Sequence, residues 1–125
     1  MAKDNKYAEG MTIRREVLGD KHVDAATKAA TDFDRDFQEF ITKYAWGEIW
    51  SREGLPKRTR SLITISLLVA LNREEELRLH LRAARRNGVT ADEIKEALMH
   101  CAIYCGLPAA NSAFKIAREV LAEKE

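Results

Sequence analysis

The stretch SLITISLLVAL, residues 61–71, is the most apolar part of the chain and decides its fold class. As an α-helix it would rise about 16 Å, well short of the roughly 30 Å of a bilayer's hydrocarbon core. It is apolar on nearly every side, which is typical of a helix surrounded by others. Pro56 suits the first turn of this helix, and Asn72 interrupts it. The sequence therefore predicts a central, buried helix that does not span a membrane.

Helical patterns flank this stretch on both sides. Before it, a segment that starts at Thr31 and ends at Gly54 carries large apolar residues at the spacing of one helical face, namely Phe33, Phe37, Phe40, Ile41 and Tyr44. After it, helices are expected over residues 74–87 and from the capping box Thr90-Ala-Asp-Glu93 to about residue 104. A last helix follows Gly106-Leu107-Pro108 and carries an alanine-rich face. With one or two short helices in the first thirty residues, the sequence predicts an all-α bundle of about six helices.

Composition fits a single domain spanning residues 1–125. The 21 basic and 20 acidic side chains leave a formal charge of +1, so no net field attracts nucleic acid or an anionic membrane. Arg82, Arg85 and Arg86 would favour nucleic-acid binding, but Glu74 to Glu76 balance them on the same predicted helix. The chain start lacks the apolar run of a signal peptide. We therefore expect a cytoplasmic protein without nucleic-acid or membrane partners.

Glu48 is the first polar residue that falls on a predicted apolar face. It shares the face of Phe37 and Tyr44, near the end of its helix, where the macrodipole is negative. Burial and the dipole would both raise its pKa, which suits a group that transfers a proton near neutral pH. The alternatives are an ion pair with Arg52 and an outward turn at a frayed helix end.

His80 is the second such residue, because it lies between Leu77 and Leu81 on the apolar face of its helix. Histidine is the commonest general acid or base, although a hydrogen-bonded core histidine explains the same placement. Near the start of the central helix, Arg58 and Arg60 could form an anion site together with Arg52. The alternative for these three is a solvated turn.

Two further groups have plainer interpretations. Cys101 and Cys105 share a helix face from which His100 points away, so a metal site is not expected there. Two cysteines are also too few for a disulfide framework. Trp46 and Trp50 form an apolar patch off the Phe37 face, which we expect to cover a subunit contact or a pocket wall.

Four long blocks resemble the carboxymuconolactone decarboxylase family, of the alkylhydroperoxidase-D-like superfamily. They are YAEGMTIRREVLGDKHVD (7–24), YAWGEIWSREGLPKRTRSLITISLLVAL (44–71), ELRLHLRAARRNGVTADEI (76–94) and IYCGLPAANSAFKIA (103–117). Their order and spacing fit the family over essentially the whole chain. The sequence departs from the usual pattern at Glu53, where proline is common, and at Cys105, where a small residue is common.

The resemblance implies an alkylhydroperoxidase-D-like helical fold assembled as trimers or hexamers. It also implies decarboxylation of 4-carboxymuconolactone to the β-ketoadipate enol-lactone in protocatechuate catabolism, without metal or organic cofactor. Related peroxidases carry a Cys-x-x-Cys ahead of the histidine that His80 matches; here those places hold Arg73 and Glu76, so peroxidase chemistry is not expected.

On this resemblance, we expect His80 to transfer the proton with help from Glu48. Arg60, Arg58 and then Arg52 would hold the substrate's two carboxylates, and Arg14, with Arg15, would close over the substrate. The alternatives are another small-molecule reaction on the same scaffold and a non-catalytic helical assembly.

Overall fold

The computed structural model describes the backbone of residues 2–124 and the side chains of residues 5–124. The chain divides into two compact units, Met1–Pro56 and Lys57–Glu125. No strand occurs among residues 2–124, so the expected all-α class is confirmed. None of the described helices is long and apolar enough to cross a membrane.

The described residues of the first unit form three α-helices and one π-helix. They are α1 (Ala2–Leu18), α2 (Asp20–Ala29), α3 (Arg35–Phe40) and the π-helix (Ile41–Ile49), into which α3 continues. The i→i+5 pattern of the π-helix extends to the bond from the amide of Trp50 to the carbonyl of Ala45, at 2.9 Å. The segment predicted as one helix over 31–54 is therefore helical only over residues 35–49, and it changes type at residue 41.

Helix α1 packs along the π-helix, and small residues allow the close approach. A Cβ added to Gly10 would lie 2.0 Å from the carbonyl oxygen of Thr42, and one added to Gly47 would lie 2.7 Å from the carbonyl oxygen of Lys6. The Lys6 ammonium donates a hydrogen bond to the Gly47 carbonyl at 3.2 Å. Backbone thus contacts backbone along this interface.

The faces expected for the aromatic residues are reversed in this segment. Phe37 and Tyr44 are exposed, at 59% and 52%, whereas Trp46 and Trp50 are buried and stack with ring centroids 5.0 Å apart. Because a π-helix winds more than four residues into each turn, the four-residue spacing of Thr42, Trp46 and Trp50 defines its buried side. The expectation of a buried Phe37 face with the tryptophans outside was wrong.

The second unit contains the four remaining helices: α4 (Lys57–Ala70), α5 (Glu74–Arg86), α6 (Ala91–Tyr104) and α7 (Leu107–Leu121). Its core holds fully buried side chains from α4, α5 and α6, among them Ile65, Leu81, Ile94 and Leu98. The small face of α7 packs on this core. The predicted capping box is confirmed: the Glu93 amide donates to Thr90 Oγ1 at 3.1 Å, and the Thr90 amide donates to Glu93 Oε1 at 2.8 Å.

Helix α4 is buried on one side only. Ser61, Ile65 and Val69 are buried, whereas Ile63, Leu67 and Leu71 are 45%, 56% and 66% exposed. The expected burial on every side is therefore wrong for this chain. The other three helices of this unit pack against one face of α4, and the opposite face presents a row of apolar side chains at i, i+4 and i+8.

Candidate functional site

The six predicted site residues are divided between the two units. Glu48, Arg14 and Arg52 belong to the first unit; His80, Arg58 and Arg60 belong to the second. Each set is described within its own unit.

His80 is half-buried on α5 between the fully or nearly fully buried Leu77 and Leu81. Acidic residues start this helix and arginines end it, as the helix dipole favours. The predicted placement of His80 inside an apolar face is confirmed. A histidine held there has a fixed position and partial access to solvent, which a proton-transfer group requires.

Arg58 and Arg60 lie in the first turns of α4 and are both half-buried. The guanidinium of Arg58 forms an ion pair with the carboxylate of Glu93, the same side chain that completes the capping box of α6. A substrate carboxylate would have to displace Glu93 to reach Arg58.

Glu48 is exposed, and the expectation that it is buried was wrong. Its side chain retains 46% of its accessible surface, and its Oε1 lies 3.7 Å from the ammonium of Lys6 on α1. The π-helix explains the difference, since it turns Glu48 away from the face occupied by Trp46 and Trp50. Arg52, beyond the end of the π-helix, is also exposed.

Arg14 is the most deeply placed of the six candidates, at 6% exposed. Its guanidinium donates from Nη1 to Thr42 Oγ1 at 3.2 Å and from Nη2 to Gln38 Oε1 at 3.1 Å, and both of these acceptors are neutral. Burial lowers the pKa of Arg14 from its ordinary value. Its neighbour Arg15 instead pairs on the surface with Asp20 and Asp24.

His22 is a titratable residue near Arg14 that sequence reasoning missed. It is half-buried on α2, and its pKa is lowered, first by burial and then by the charge of Arg14. The only signal in the sequence was its position next to Val23, the buried residue of α2.

The thiols and His100 do not form a metal centre. No group of three or more possible ligands is close enough to hold a metal ion within the described part of the chain. Cys101 is buried in the core of the second unit, which raises its pKa, and Cys105 is half-buried. His100 is exposed and stacks with Tyr104, their ring centroids 4.9 Å apart.

Comparison with known proteins identifies the chain's relatives. The sequence model of the carboxymuconolactone decarboxylase family matches residues 35–119 and so covers parts of both units. A 4-carboxymuconolactone decarboxylase of Acinetobacter baylyi is 55% identical over 120 residues, which are 96% of this chain and 90% of the relative. The nitrosuccinic acid decarboxylase npaB of Metarhizium robertsii is 43% identical over 92% of this chain and 80% of its own length. A 4-carboxymuconolactone decarboxylase from Pseudomonas putida is 46% identical over 48 residues, or 38% of this chain. The chain therefore belongs to the carboxymuconolactone decarboxylase family.

Proposed function

We propose that this protein decarboxylates 4-carboxymuconolactone to the β-ketoadipate enol-lactone without a cofactor, as one domain over residues 1–125. The observation that carries the proposal is the 55% identity, over 96% of the chain, to a relative that bears this activity as its name. The half-buried histidine on α5 is the structural feature that fits the chemistry best.

The substrate's own ring accepts the electrons of the reaction. Its leaving carboxylate sits on a ring carbon conjugated, through the ring C=C, to the lactone carbonyl. When the bond to CO₂ breaks, its electron pair moves into that carbonyl and forms an extended enolate, which is then protonated on the carbon next to the carbonyl. The protein must bind two carboxylates, stabilise the enolate and supply one proton.

The proposed roles follow from this requirement. His80 donates the proton, and Arg60 binds a carboxylate, with Arg58 contributing once it is released from Glu93. Arg52 and Arg14 remain proposed carboxylate ligands from the first unit. Glu48 assists the proton transfer. Its exposed ion pair with Lys6 supports this role less than the expected burial would have done.

Nitrosuccinic acid is the second candidate substrate, because the relative named for it matches 92% of this chain. Its nitro group is bonded to the carbon that carries the leaving carboxylate. Loss of CO₂ there would deliver the electron pair to the nitro group as a nitronate. Both substrates therefore present two carboxylates and an electron acceptor, reached through a C=C bond in the lactone and bonded directly in nitrosuccinic acid, and both need a proton on carbon afterwards.

We further propose a cytoplasmic, trimer-based assembly, most simply a hexamer, whose only other partner is the small dicarboxylate substrate. The supporting observation is exposed apolar surface in each unit, which includes Phe37 and Tyr44 in the first unit and, in the second, Leu67 on α4 and Leu71 just beyond its end. Along α4 these side chains form one row, and contiguous apolar surface marks a protein contact more often than free surface.

The test is to supply each substrate to the pure protein and to follow CO₂ release. We expect turnover of 4-carboxymuconolactone with kcat/KM at least tenfold above that for nitrosuccinic acid, unchanged after dialysis against a metal chelator. A preference for nitrosuccinic acid would make that compound the proposed substrate. If neither compound releases CO₂, the proposed function is wrong.

A further inference from the structure

The second unit contains a basic cavity that the proposed reaction does not use. It has a volume of about 360 Å³ and lies between the ends of α5 and α7. Four cations line it: Arg82, Arg85, Arg86 and Lys124, with Glu123 as the one carboxylate. We propose that this basic cavity binds a small organic or inorganic polyanion that carries two or more carboxylate or phosphate groups.

The acidic residues at the start of α5 do not neutralise the basic cavity. Glu75 and Arg85 are ten residues apart on one helix, so about 15 Å of helix separates the acidic and basic ends. That distance exceeds the Debye length of about 8 Å at physiological ionic strength. The acidic and basic residues of this helix therefore balance in number, as the sequence suggested, but they lie at opposite ends of it.

The two helix ends do not neutralise it either. Among the described side chains that line the cavity, four cations and one carboxylate leave a local charge of about three positive units. The C-terminus of a helix contributes about half a negative unit, so α5 and α7 together remove about one. A positive charge of about two units remains in a concave site, where low-dielectric walls concentrate its field.

Most of the cations are available to a ligand. Arg82 is held by Glu123 through two bonds, from Nε at 2.8 Å and from Nη2 at 2.6 Å. Arg85 and Arg86 are exposed at the end of α5, and neither has an acidic partner within the described residues. Their planar guanidinium groups suit the bidentate binding of carboxylate or phosphate oxygens. Glu123 thus acts as an internal competitor for one of the arginines.

The cavity also limits the size and shape of the ligand. Its volume lies at the lower end of the range for small-molecule sites, and the buried Val120 contributes an apolar wall beneath the charged rim. A compact molecule with charges at its edge fits this arrangement. The arginines lie on the side of α5 away from His80, since positions 82 and 86 are 200° and 240° around the helix from position 80 by its 100° step.

The test measures binding of inorganic pyrophosphate and of propane-1,2,3-tricarboxylate by calorimetry at two salt concentrations. We expect binding that weakens as salt rises, and that weakens at least tenfold in Arg85→Ala and in Arg86→Ala. Glu123→Gln should bind both probes several-fold more tightly, because it removes the competitor and a repulsive charge.

One turn away, Arg78 and Glu119 provide a matched control. They join α5 to α7 through an ion pair at 2.7 Å, four residues before Arg82 and Glu123 in each case, but do not line the basic cavity. Glu119→Gln removes the same charge and should leave binding unchanged. Circular dichroism melts verify that each variant is folded.

Three results would overturn the proposal: no binding of either probe, equal gains in Glu123→Gln and Glu119→Gln, or binding that survives loss of Arg85 and Arg86. If the protein binds duplex DNA through these arginines and binds neither small probe, the ligand of the cavity is a nucleic acid and the proposal is wrong. This binding test does not measure decarboxylation, so the anion site and the proposed function can be contradicted independently.

Discussion

Gly10 faces the carbonyl oxygen of Thr42 so closely that a methyl group at Gly10 has no room. An added Cβ would lie 2.0 Å from that oxygen and 2.9 Å from the amide nitrogen of Gly47. Both of these atoms belong to the backbone, so a change of side-chain rotamer cannot relieve the contact. The spacing between α1 and the π-helix thus depends on the absence of one methyl group.

Gly10→Ala should therefore destabilise the protein by at least about 2 kcal/mol, as overpacking in a close contact does. In an ordinary helix the same change is stabilising, so the sign itself is informative. Gly54→Ala is the control, because nothing lies within 4 Å of its added Cβ. Urea unfolding measures both; equal stability in the two variants would contradict the close packing.

His80→Gln should lower kcat for the preferred substrate by about 10² to 10⁴, the usual loss when a positioned acid or base is removed. Arg60→Ala should act partly through KM, since its carboxylate partner is present before and during the reaction. His100→Gln, an exposed histidine on α6, serves as the control. Near-normal kcat in folded His80→Gln would make His80 a packing residue.

The free energy of unfolding should rise as the pH increases towards about 7, partly through His22. Burial, and then the charge of Arg14, lower its folded-state pKa, so the unfolded chain binds more protons in this window. The contribution of His22 is complete above its ordinary pKa of about 6.5 and is lost as the pH falls through the lowered value.

His22→Gln should flatten this dependence, as measured by denaturant unfolding at several pH values. Arg14→Met should raise the pKa of His22, which a nuclear magnetic resonance titration of the histidine would show. An unchanged slope in His22→Gln, or an unchanged titration in Arg14→Met, would contradict this interpretation.

Leu67→Glu should dissociate the proposed assembly without unfolding the chain. Leu67 is 56% exposed in the middle of the apolar row on α4, so a carboxylate there meets solvent in the monomer and an apolar surface in a contact. Thr27→Glu adds the same charge at an exposed polar position. Light scattering at micromolar concentration gives the mass; a monomeric wild-type protein would contradict the assembly.

Iodoacetamide should modify Cys105 rapidly and Cys101 only after unfolding. Cys105 is half-buried, whereas Cys101 is buried and its pKa is raised by that burial, which disfavours the reactive thiolate. Mass spectrometry of peptides measures both rates, and Cys105→Ser should remove the fast one. Hydroperoxide turnover that either cysteine substitution abolishes would contradict the expected lack of peroxidase chemistry.

Motifs of neighbouring residues predicted the fold better than the assignment of buried and exposed helix faces did. Thr90 and Glu93 predicted the start of α6 because a capping box involves neighbouring residues only. The aromatic faces were assigned wrongly because the 100° step between residues holds for an α-helix, whereas this segment is a π-helix from Ile41 onward and packs against α1. No sequence pattern within the segment itself predicts that packing.

The site was predictable in its residue types and less so in its contacts. His80 is placed where its apolar neighbours indicated. The partners of Arg58 and Glu48 are Glu93, 35 positions away, and Lys6, 42 positions away, and single-sequence patterns carry no information on such pairs. His22 was missed for the same reason, since its environment includes Arg14 across the turn at Gly19.

The carboxylate of Glu93 has an evolutionary consequence, because its two oxygens serve two helices. One oxygen caps α6 through Thr90, and the other pairs with Arg58 at the start of α4, where the helix dipole disfavours a cation. A lineage that loses Arg58 still keeps a reason to retain Glu93. While Arg58 is present, the loss of Glu93 removes the cap and also leaves Arg58 without its counter-charge, so substitutions at position 58 should precede those at position 93 more often than they follow them.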